Sequence, residues 1–470
     1  MLQPSSASDK KPGRRFGLDV HSRILVDRVA ETNLSSLDGE TIHALRIFLA
    51  DTIAVGIAGK CNPAADGILA AMQAAGGEGG VACIGRAGVT LPPHQAAVIN
   101  GFQIHCLEWD GLHEPSVVIA LCATVAALSC EVETNEASFG DLLVAFAVGI
   151  EAAVFFGSAA ATAPRFFRPS AAGVMGAAMA IGKLRGYDRD QLQNLLGLAY
   201  SQVGGTMQAH WEGSEALALQ VGFAARAALT AADLVAHGVT GPHEVISGKF
   251  GYFSLIESPD DIDGVLARWG SPWKITEMAH KPFPAGRATQ AVLTALLDMR
   301  EMRDFDASEV ASVEAHVPSL IALLVSRPWS SDMSPAYARL CLEYVVPRML
   351  LDRAVDPKRF TKDWFGQPEV AELAQKITCV TDDNPDPNAL GPQTVNVTLS
   401  DGTVMERCVD APLGAPGRPL NSAQRIDKIA RCFEAGDWQA DPADFMAAFE
   451  QAPLDTPARN LLTQCTGGRQ

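Results

Sequence analysis

A long, nearly uninterrupted helical pattern is the feature that most restricts how this chain can fold. From about Val20 to Gly270, alanine, leucine, glycine and methionine dominate, strand-like alternation is scarce, and short Gly/Pro breaks separate the segments. Segments such as AAGVMGAAMAIGKL (171–184) and GFAARAALTAADLVAHG (222–238) are rich in small residues, which let helix backbones approach closely. The pattern predicts a large all-helical domain with a mostly buried interior.

The pattern changes after Trp273. Strand-like alternation occurs at Val310–Val317, at Lys376–Val380, and in a hairpin pattern at 394–409 whose two arms are joined by Asp401-Gly402. Helical stretches lie between these strands, which is typical of a small α+β domain. The fold class predicted is therefore mostly α, with a large helical domain and a smaller α+β domain.

The predicted domain boundaries follow from these changes. They are a disordered tail at 1–16, a large helical domain at 17–272, an α+β domain at 273–412, and C-terminal helices at 413–470 that pack back on the helical domain.

Charge and composition exclude several classes of function. The net charge is −17, and no Lys/Arg cluster with interleaved aromatics occurs, so we expect neither a nucleic-acid partner nor a basic membrane-binding face. Two apolar segments do not predict membrane spans, because Val117–Cys130 is too short and 142–163 carries Glu151. The polar start lacks a secretory h-region and the ten cysteines include no CxxC pair, so we expect a reduced, cytoplasmic protein.

The densest ionisable cluster is HCLEWDGLHEPS, which lies between two apolar helical segments and carries His105, Glu108, Asp110, His113 and Glu114. Such groups are costly between buried elements unless they are paired or used. The cluster predicts acid/base chemistry or carboxylate binding. A metal site on His105, Glu108 and His113 is an alternative, although the spacing matches no standard zinc motif. A hydrogen-bonded helix junction is a second alternative.

A second candidate is HKPFPAGRATQ (280–290), at the predicted join between the domains. His280, Lys281 and Arg287 place three potential cations in a loop stiffened by two prolines, which suits an anionic substrate. An interdomain linker exposed to solvent is the alternative. Arg168, leading into a helix, and His210 are further candidates for a cleft.

Taken together, these segments resemble the characteristic blocks of the MmgE/PrpD family, which includes 2-methylcitrate dehydratase, cis-aconitate decarboxylase and iminodisuccinate epimerase. The resembling blocks are LADTIAVGIAGK (49–60), PPHQAAVINGFQIHCLEWDGLHEP (92–115), GAAMAIGKLRGYD (176–188), HKPFPAGRATQ (280–290) and DMSPAYARLCL (332–342). The resemblance implies an all-helical domain with an α+β lid, a homodimer, no metal or organic cofactor, and an active site in the cleft between the domains.

Departures from the family's pattern bear on the substrate. An aspartate of its acidic stretch is Glu108, a neighbouring Asp is Gly111, and basic positions correspond to Ile119, Leu217 and Gln290. Arg168 stands where the family has histidine, whereas the positions retained are His105, Asp110, Lys281, Arg287 and Tyr337. Each lost cationic contact removes on the order of 1.5–3 kcal/mol, so we expect a tricarboxylate to fit less well here.

The resemblance and the residues together give a working hypothesis: a cofactor-independent lyase, of dehydratase or decarboxylase type, acting on a small carboxylate by α-proton abstraction. In it Asp110 or His113 is the base, His105 orients that base, Glu108 is an additional acid, and Lys281 holds a carboxylate. The predicted substrate-binding residues are Arg168, His210, His280, Arg287, Gln290 and Tyr337. Three alternatives remain, namely an epimerase of an amino- or hydroxy-dicarboxylate, a catalytically silent binding homologue, and a metal-dependent hydrolase.

Overall fold

The computed structural model describes residues 19–466 apart from positions 78, 163 and 387. The tail predicted at 1–16 lies outside the described residues. The helices are α1 (Val20–Glu31), α2 (Gly39–Ala58), α3 (Ala65–Ala74), α4 (Pro93–His105), α5 (Leu121–Glu131), α6 (Phe139–Ser158), α7 (Arg168–Ala171), α8 (Gly173–Leu184), α9 (Arg189–Tyr200), α10 (Gln208–Glu212), α11 (Ala216–Ala236), α12 (Tyr252–Leu255), α13 (Ile262–Ala267), α14 (Gln290–Met302), α15 (Ser319–Val325), α16 (Pro335–Ala338), α17 (Leu342–Asp352), α18 (Lys362–Phe365), α19 (Pro368–Ala374), α20 (Ser422–Gly436), α21 (Pro442–Gln451) and α22 (Ala458–Thr466). The strands are β1 (Val81–Ala82), β2 (Thr90–Leu91), β3 (Leu112–His113), β4 (Met278–Ala279), β5 (Val310–Val317), β6 (Ile377–Thr381), β7 (Gln393–Leu399) and β8 (Val404–Val409).

The first hydrophobic core is helical, as the small-residue pattern predicts. Helices α4 and α11 cross where Gly101 meets Gly222, and a Cβ built on Gly222 would lie 2.3 Å from the carbonyl oxygen of Val98. Only a residue without a side chain allows this approach. Helix α4 ends at His105, so the contact fixes the element that carries the first candidate site residue.

Three helical segments are long and apolar enough to cross a membrane by length and composition: Gly39–Cys61, Phe139–Ser158 and Ala216–Ala236. In the first two, 83% and 94% of the apolar window is buried inside the protein, and in the third 56%. Burial in the helical core accounts for the apolar character of the first two segments.

The second hydrophobic core is formed by residues between Phe283 and Val409. Its four-stranded sheet has the order β6-β5-β7-β8, in which β5 and β6 are parallel and the other pairs antiparallel. The hairpin predicted at 394–409 is confirmed as β7 and β8. The change from the first core to the second falls between Ala279 and Phe283, immediately beside Lys281.

The chain then returns to the first core. Within the segment predicted to form C-terminal helices, residues 422–451 form α20 and α21, and the chain turns between them at Asp437, whose φ is 51°. Both helices pack against α2. Buried side chains of α20, including Ile429 and Phe433, belong to the first hydrophobic core.

Candidate active site

A short antiparallel ribbon of two strands, each two residues long, brings together the two segments predicted to carry site residues. Strand β3 pairs with β4 so that Leu112 lies opposite Ala279. Continuing this register by two residues places Asp110 opposite Lys281, because paired positions in an antiparallel ribbon run in opposite directions. The acidic segment after α4 and the cationic loop thus meet at one point.

Four ionisable side chains form a buried cluster at this point. His105 Nδ1 lies 2.9 Å from Asp110 Oδ2, and His105 Nε2 lies 3.4 Å from Glu108 Oε1. The Lys281 ammonium lies 3.1 Å from Glu108 Oε2 and 3.5 Å from Asp110 Oδ1. Asp110 and Lys281 are fully buried, and Glu108 is 8% exposed. The structure therefore brings together four of the five residues predicted to be catalytic.

Proximity of opposite charges, rather than burial, determines how these groups titrate. Burial alone would lower the pKa of His105, but the carboxylates of Asp110 and Glu108 outweigh it and raise that pKa. The same carboxylates raise the pKa of Lys281 against the effect of burial. Burial would raise the pKa of both carboxyl groups, yet Lys281 and His105 lower it. The cluster holds two carboxylates, an ammonium and a readily protonated imidazole.

Glu108 is the member of the cluster that lines the main cavity. Its φ of 53° lies in the left-handed region, which non-glycine residues rarely adopt and which is found more often at functional sites. About 710 Å³ of empty space lies in and around this cavity, including space that is open to solvent. Its other ionisable lining residues are Arg168, His210 and Arg287.

His210 is contacted by an arginine that was not among the predicted site residues. Arg327 Nη2 lies 2.9 Å from His210 Nδ1 and donates to the carbonyl of the same residue. Burial and the charge of Arg327 lower the pKa of His210 to about 4. The arginine makes Nδ1 the acceptor, so neutral His210 carries its proton on Nε2. The signal available in the sequence was a lone arginine two residues after the apolar segment that forms α15.

His113, predicted as an alternative base, lies outside the cluster. Leu112 lines the main cavity and His113, its neighbour on an extended strand, faces a separate cleft, because successive side chains of a strand point to opposite faces. Both ring nitrogens of His113 are engaged, Nδ1 by Ser116 at 2.8 Å and Nε2 by Glu277 at 3.1 Å. The geometry does not support His113 as the base.

The predicted arginines line the cavity, but each has a carboxylate partner. Arg168 bonds the buried Glu257 at 2.8 Å and two backbone carbonyls, so its main contacts are within the protein. Arg287 Nε donates to Glu114 at 2.8 Å, whereas its buried Nη1 has no hydrogen-bond partner among the described residues. Arg287 thus retains a free donor.

Three other residues predicted to bind substrate have structural contacts instead. The Gln290 amide donates to the carbonyls of Phe283 and Ala285 and so holds the cationic loop. His280 stacks on Phe48 with ring centroids 3.9 Å apart, and the Tyr337 hydroxyl donates to a backbone carbonyl. None of the three lines the main cavity, so the structure does not support their predicted role.

A metal site fits this cluster poorly. His105, Asp110 and Cys122 offer donor atoms within 4.8 Å of one another. However, burial raises the pKa of Cys122 well above its ordinary value, and a metal requires the thiolate. The Lys281 ammonium beside Asp110 also repels a dication. The other set considered from the sequence is not assembled, because His113 lies in another cleft.

Comparison with known proteins identifies the family of this chain. Residues 23–264 match the model of the MmgE/PrpD N-terminal domain, and residues 283–441 match that of the MmgE/PrpD C-terminal domain. Cis-aconitate decarboxylase of Mus musculus is 28% identical over 366 residues, which cover 73% of this chain and 72% of the relative. The Homo sapiens cis-aconitate decarboxylase is also 28% identical, covering 73% of each chain.

A cis-aconitate decarboxylase of Aspergillus terreus is 26% identical over 415 residues, or 82% of this chain and 84% of the relative. These relatives support, in general terms, a lyase-type enzyme. Since the two domain models together span well over half of its length, the chain belongs to the MmgE/PrpD family.

Proposed function

We propose that the protein is a lyase of the decarboxylase or dehydratase type that acts on a carboxylate substrate without a bound cofactor. The observation that carries the proposal is the buried cluster of His105, Glu108, Asp110 and Lys281, which reaches the cavity through Glu108. A site with two bases and two cationic acids can both remove and deliver protons. The decarboxylase names of the relatives add support.

The substrate carboxylate binds where Lys281 and the free Nη1 of Arg287 supply donors. In the unliganded site, Lys281 opposes the effect of burial on Glu108 and lowers the pKa of that carboxyl group. A substrate carboxylate that takes the ammonium leaves Glu108 buried without its main partner, and burial then raises its pKa. Substrate binding thereby makes Glu108 a stronger base.

Asp110 orients His105 in this mechanism, and the base is Glu108 rather than Asp110, because Asp110 is held by His105 and Lys281 whereas Glu108 lines the cavity. His105 Nε2 has no hydrogen-bond partner among the described residues, so it is free to exchange a proton with the reacting atoms of the substrate. In a dehydration, Glu108 takes the α-proton and protonated His105 gives its proton to the leaving hydroxyl, which departs as water. In a decarboxylation, carbon dioxide leaves, the bonding electrons stay on carbon, and His105 protonates that carbon.

Proton NMR of the purified protein in D₂O, after passage over a chelating resin, tests the proposal. The panel holds cis-aconitate, citrate, 2-methylcitrate and iminodisuccinate, together with 2-butylcitrate and 3-butylmalate as acids that carry a longer substituent. Net loss of carbon dioxide or water from one member is the expected result, and Lys281→Met should lower kcat/KM by at least about a thousandfold. The matched control is Lys358→Met, at a lysine whose side chain is 44% exposed, and it should match wild type.

Each other outcome points to a different function. Deuterium entry at an α-carbon without net loss would replace the lyase with an epimerase. Absence of both exchange and turnover across the panel, or wild-type turnover by Lys281→Met, would contradict the proposal.

A further inference from the structure

The main cavity is lined mostly by hydrocarbon. Apart from Glu108 and three other ionisable residues, its walls are apolar side chains, glycine and alanine. These apolar side chains come from separate segments of both cores, including Ile119 and Phe167 of the first core and Val325 of the second, with Leu324 and Leu390 packed against the second. A substrate consisting only of a few carboxylates would leave these walls without a complementary surface.

The cations of the cavity do not compensate for three carboxylates. Arg168 is neutralised by Glu257 and Arg287 by Glu114. His210 is neutral near pH 7, because burial and Arg327 hold its pKa at about 4. Lys281 faces two carboxylates. Charge alone therefore gives a small polyanion little binding energy here, since a buried anion requires uncompensated cations or donors.

We infer that the substrate of this site is a carboxylic acid with an apolar substituent of several carbons. Its acid end lies at Arg287 and at Glu108, which contacts Lys281, and its hydrocarbon end lies against Ile119 and the cavity face of α15. The inference rests on the proposed function for the reaction and on the cavity walls for the substituent. Recognition comes chiefly from apolar burial, which is proportional to the area removed from water.

Two homologous series test it: 2-alkylcitrates and 3-alkylmalates, each with hydrogen, methyl, butyl or hexyl as the substituent. Dissociation constants are measured by calorimetry, and kcat/KM by NMR of the product. Both should improve by about fourfold per added methylene until the cavity is filled, the fold-change that corresponds to about 0.8 kcal/mol per buried CH₂. Values that are flat or worse with longer chains in both series would overturn the inference.

Neighbouring residues of α15 provide a matched pair of variants. Leu324 lines the cavity, whereas Leu323 is 57% exposed and does not. Leu324→Asn should flatten the dependence on chain length, and Leu323→Asn should preserve it. An equal effect of the two variants would contradict a tail-binding role for this wall.

Failure of the inference and failure of the proposed function give different results. In one outcome no compound is turned over, affinity still rises with chain length, and Leu324→Asn abolishes the rise. That outcome would support the apolar binding site and contradict the proposed lyase activity. If the unsubstituted acids are turned over best, the lyase stands and the apolar substituent is refuted.

Discussion

At the scale of single residues, Asp110 controls the protonation of His105. Burial would lower the pKa of this imidazole, but Asp110 and Glu108 raise it above its ordinary value of 6.5. A histidine whose folded pKa is raised adds stability that is fully present below its unfolded pKa and is lost as pH rises through the folded value. If protonated His105 is the acid, activity falls over that same range above pH 6.5.

Asp110→Asn should move the alkaline limb of the pH–rate profile to lower pH, because the variant removes the largest interaction that raises the pKa of His105. The measurement is kcat/KM from about pH 5 to about pH 9. His113→Asn is the control, since His113 lies in a different cleft, and its limb should coincide with that of wild type. A limb that stays in place in Asp110→Asn would contradict His105 as the acid.

Arg327 adds to burial in lowering the pKa of His210, whereas Asp110 raises the pKa of His105. The pKa of His210 is about 4 because of burial and the arginine's charge. Between about pH 4 and 6.5 the unfolded chain binds this proton and the folded chain does not, so the stability contributed by neutral His210 rises with pH in that window. Arg327→Met should raise the pKa of His210 toward 6.5.

NMR titration of the His210 ring provides the measurement, and Arg353→Met is the control because Arg353 is a surface residue paired with Asp304. The pKa of His210 should rise in the first variant only. A value still near 4 in Arg327→Met would mean that burial alone sets it.

Whether the role of a residue can be predicted from the sequence depends on whether its contacts show as a local residue pattern. The grouping of His105, Glu108 and Asp110 follows from one short segment, and the cationic segment that supplies Lys281 is visible as a motif. The contacts that occupy Gln290 are with carbonyls of its own loop, which no residue pattern reveals. His113 is close to Asp110 in sequence, but strand alternation turns it away.

At the scale of secondary-structure elements, local sequence patterns predict hairpins and helices well, but they do not predict which distant strands pair. The hairpin around Asp401-Gly402 has alternating arms and a turn, so it is predictable from the sequence. The β3–β4 ribbon joins segments more than 160 residues apart through two residue pairs and has no local signature. The ribbon nevertheless sets the site geometry, because its register places Asp110 opposite Lys281.

Gly222→Ala tests how closely α4 and α11 must approach. A Cβ at this position meets the backbone of Val98 at 2.3 Å, and backbone yields less readily than a side chain, so we expect the free energy of unfolding to fall by about 1–3 kcal/mol or more. Activity should fall with it, since α4 ends at His105. Chemical denaturation and kcat/KM measure the two effects.

Gly67→Ala is the matched control, the same substitution at an exposed position of α3 with no atom within 4 Å of the new Cβ. It should raise the free energy of unfolding by roughly 0.5–1 kcal/mol, as alanine does for glycine in a helix interior. Equal effects of the two substitutions would mean that the helix crossing adapts.

At the scale of the whole molecule, the site depends on the end of the chain returning to its beginning. Lys428 of α20 is 1% exposed; its ammonium lies 2.8 Å from Asp51 of α2 and donates to the carbonyl of Trp109 at 3.0 Å. Trp109 lies between Glu108 and Asp110. Segments separated by more than 300 residues thus converge on the backbone of the site.

Lys428→Met should destabilise the fold and slow the reaction together. The variant leaves Asp51 buried without its partner, and burial already raises the pKa of Asp51 against the effect of Lys428. Removing one member of a buried ion pair costs about 3–5 kcal/mol. The Trp109 carbonyl loses its donor as well, so the loop that carries Glu108 and Asp110 is held less firmly and kcat/KM should fall.

A double-mutant cycle with Asp51→Asn separates the ion pair from the loop contact. The double variant should recover part of the lost stability, with a coupling energy on the order of 0.5–3 kcal/mol, but should not recover kcat/KM, since the carbonyl of Trp109 still lacks its donor. Lys376→Met, at a surface pair with Glu372, should stay within about 0.5 kcal/mol of wild type. Additive effects on stability would contradict the coupling between Lys428 and Asp51. Full recovery of kcat/KM in the double variant would show that Lys428 acts on the site only through Asp51.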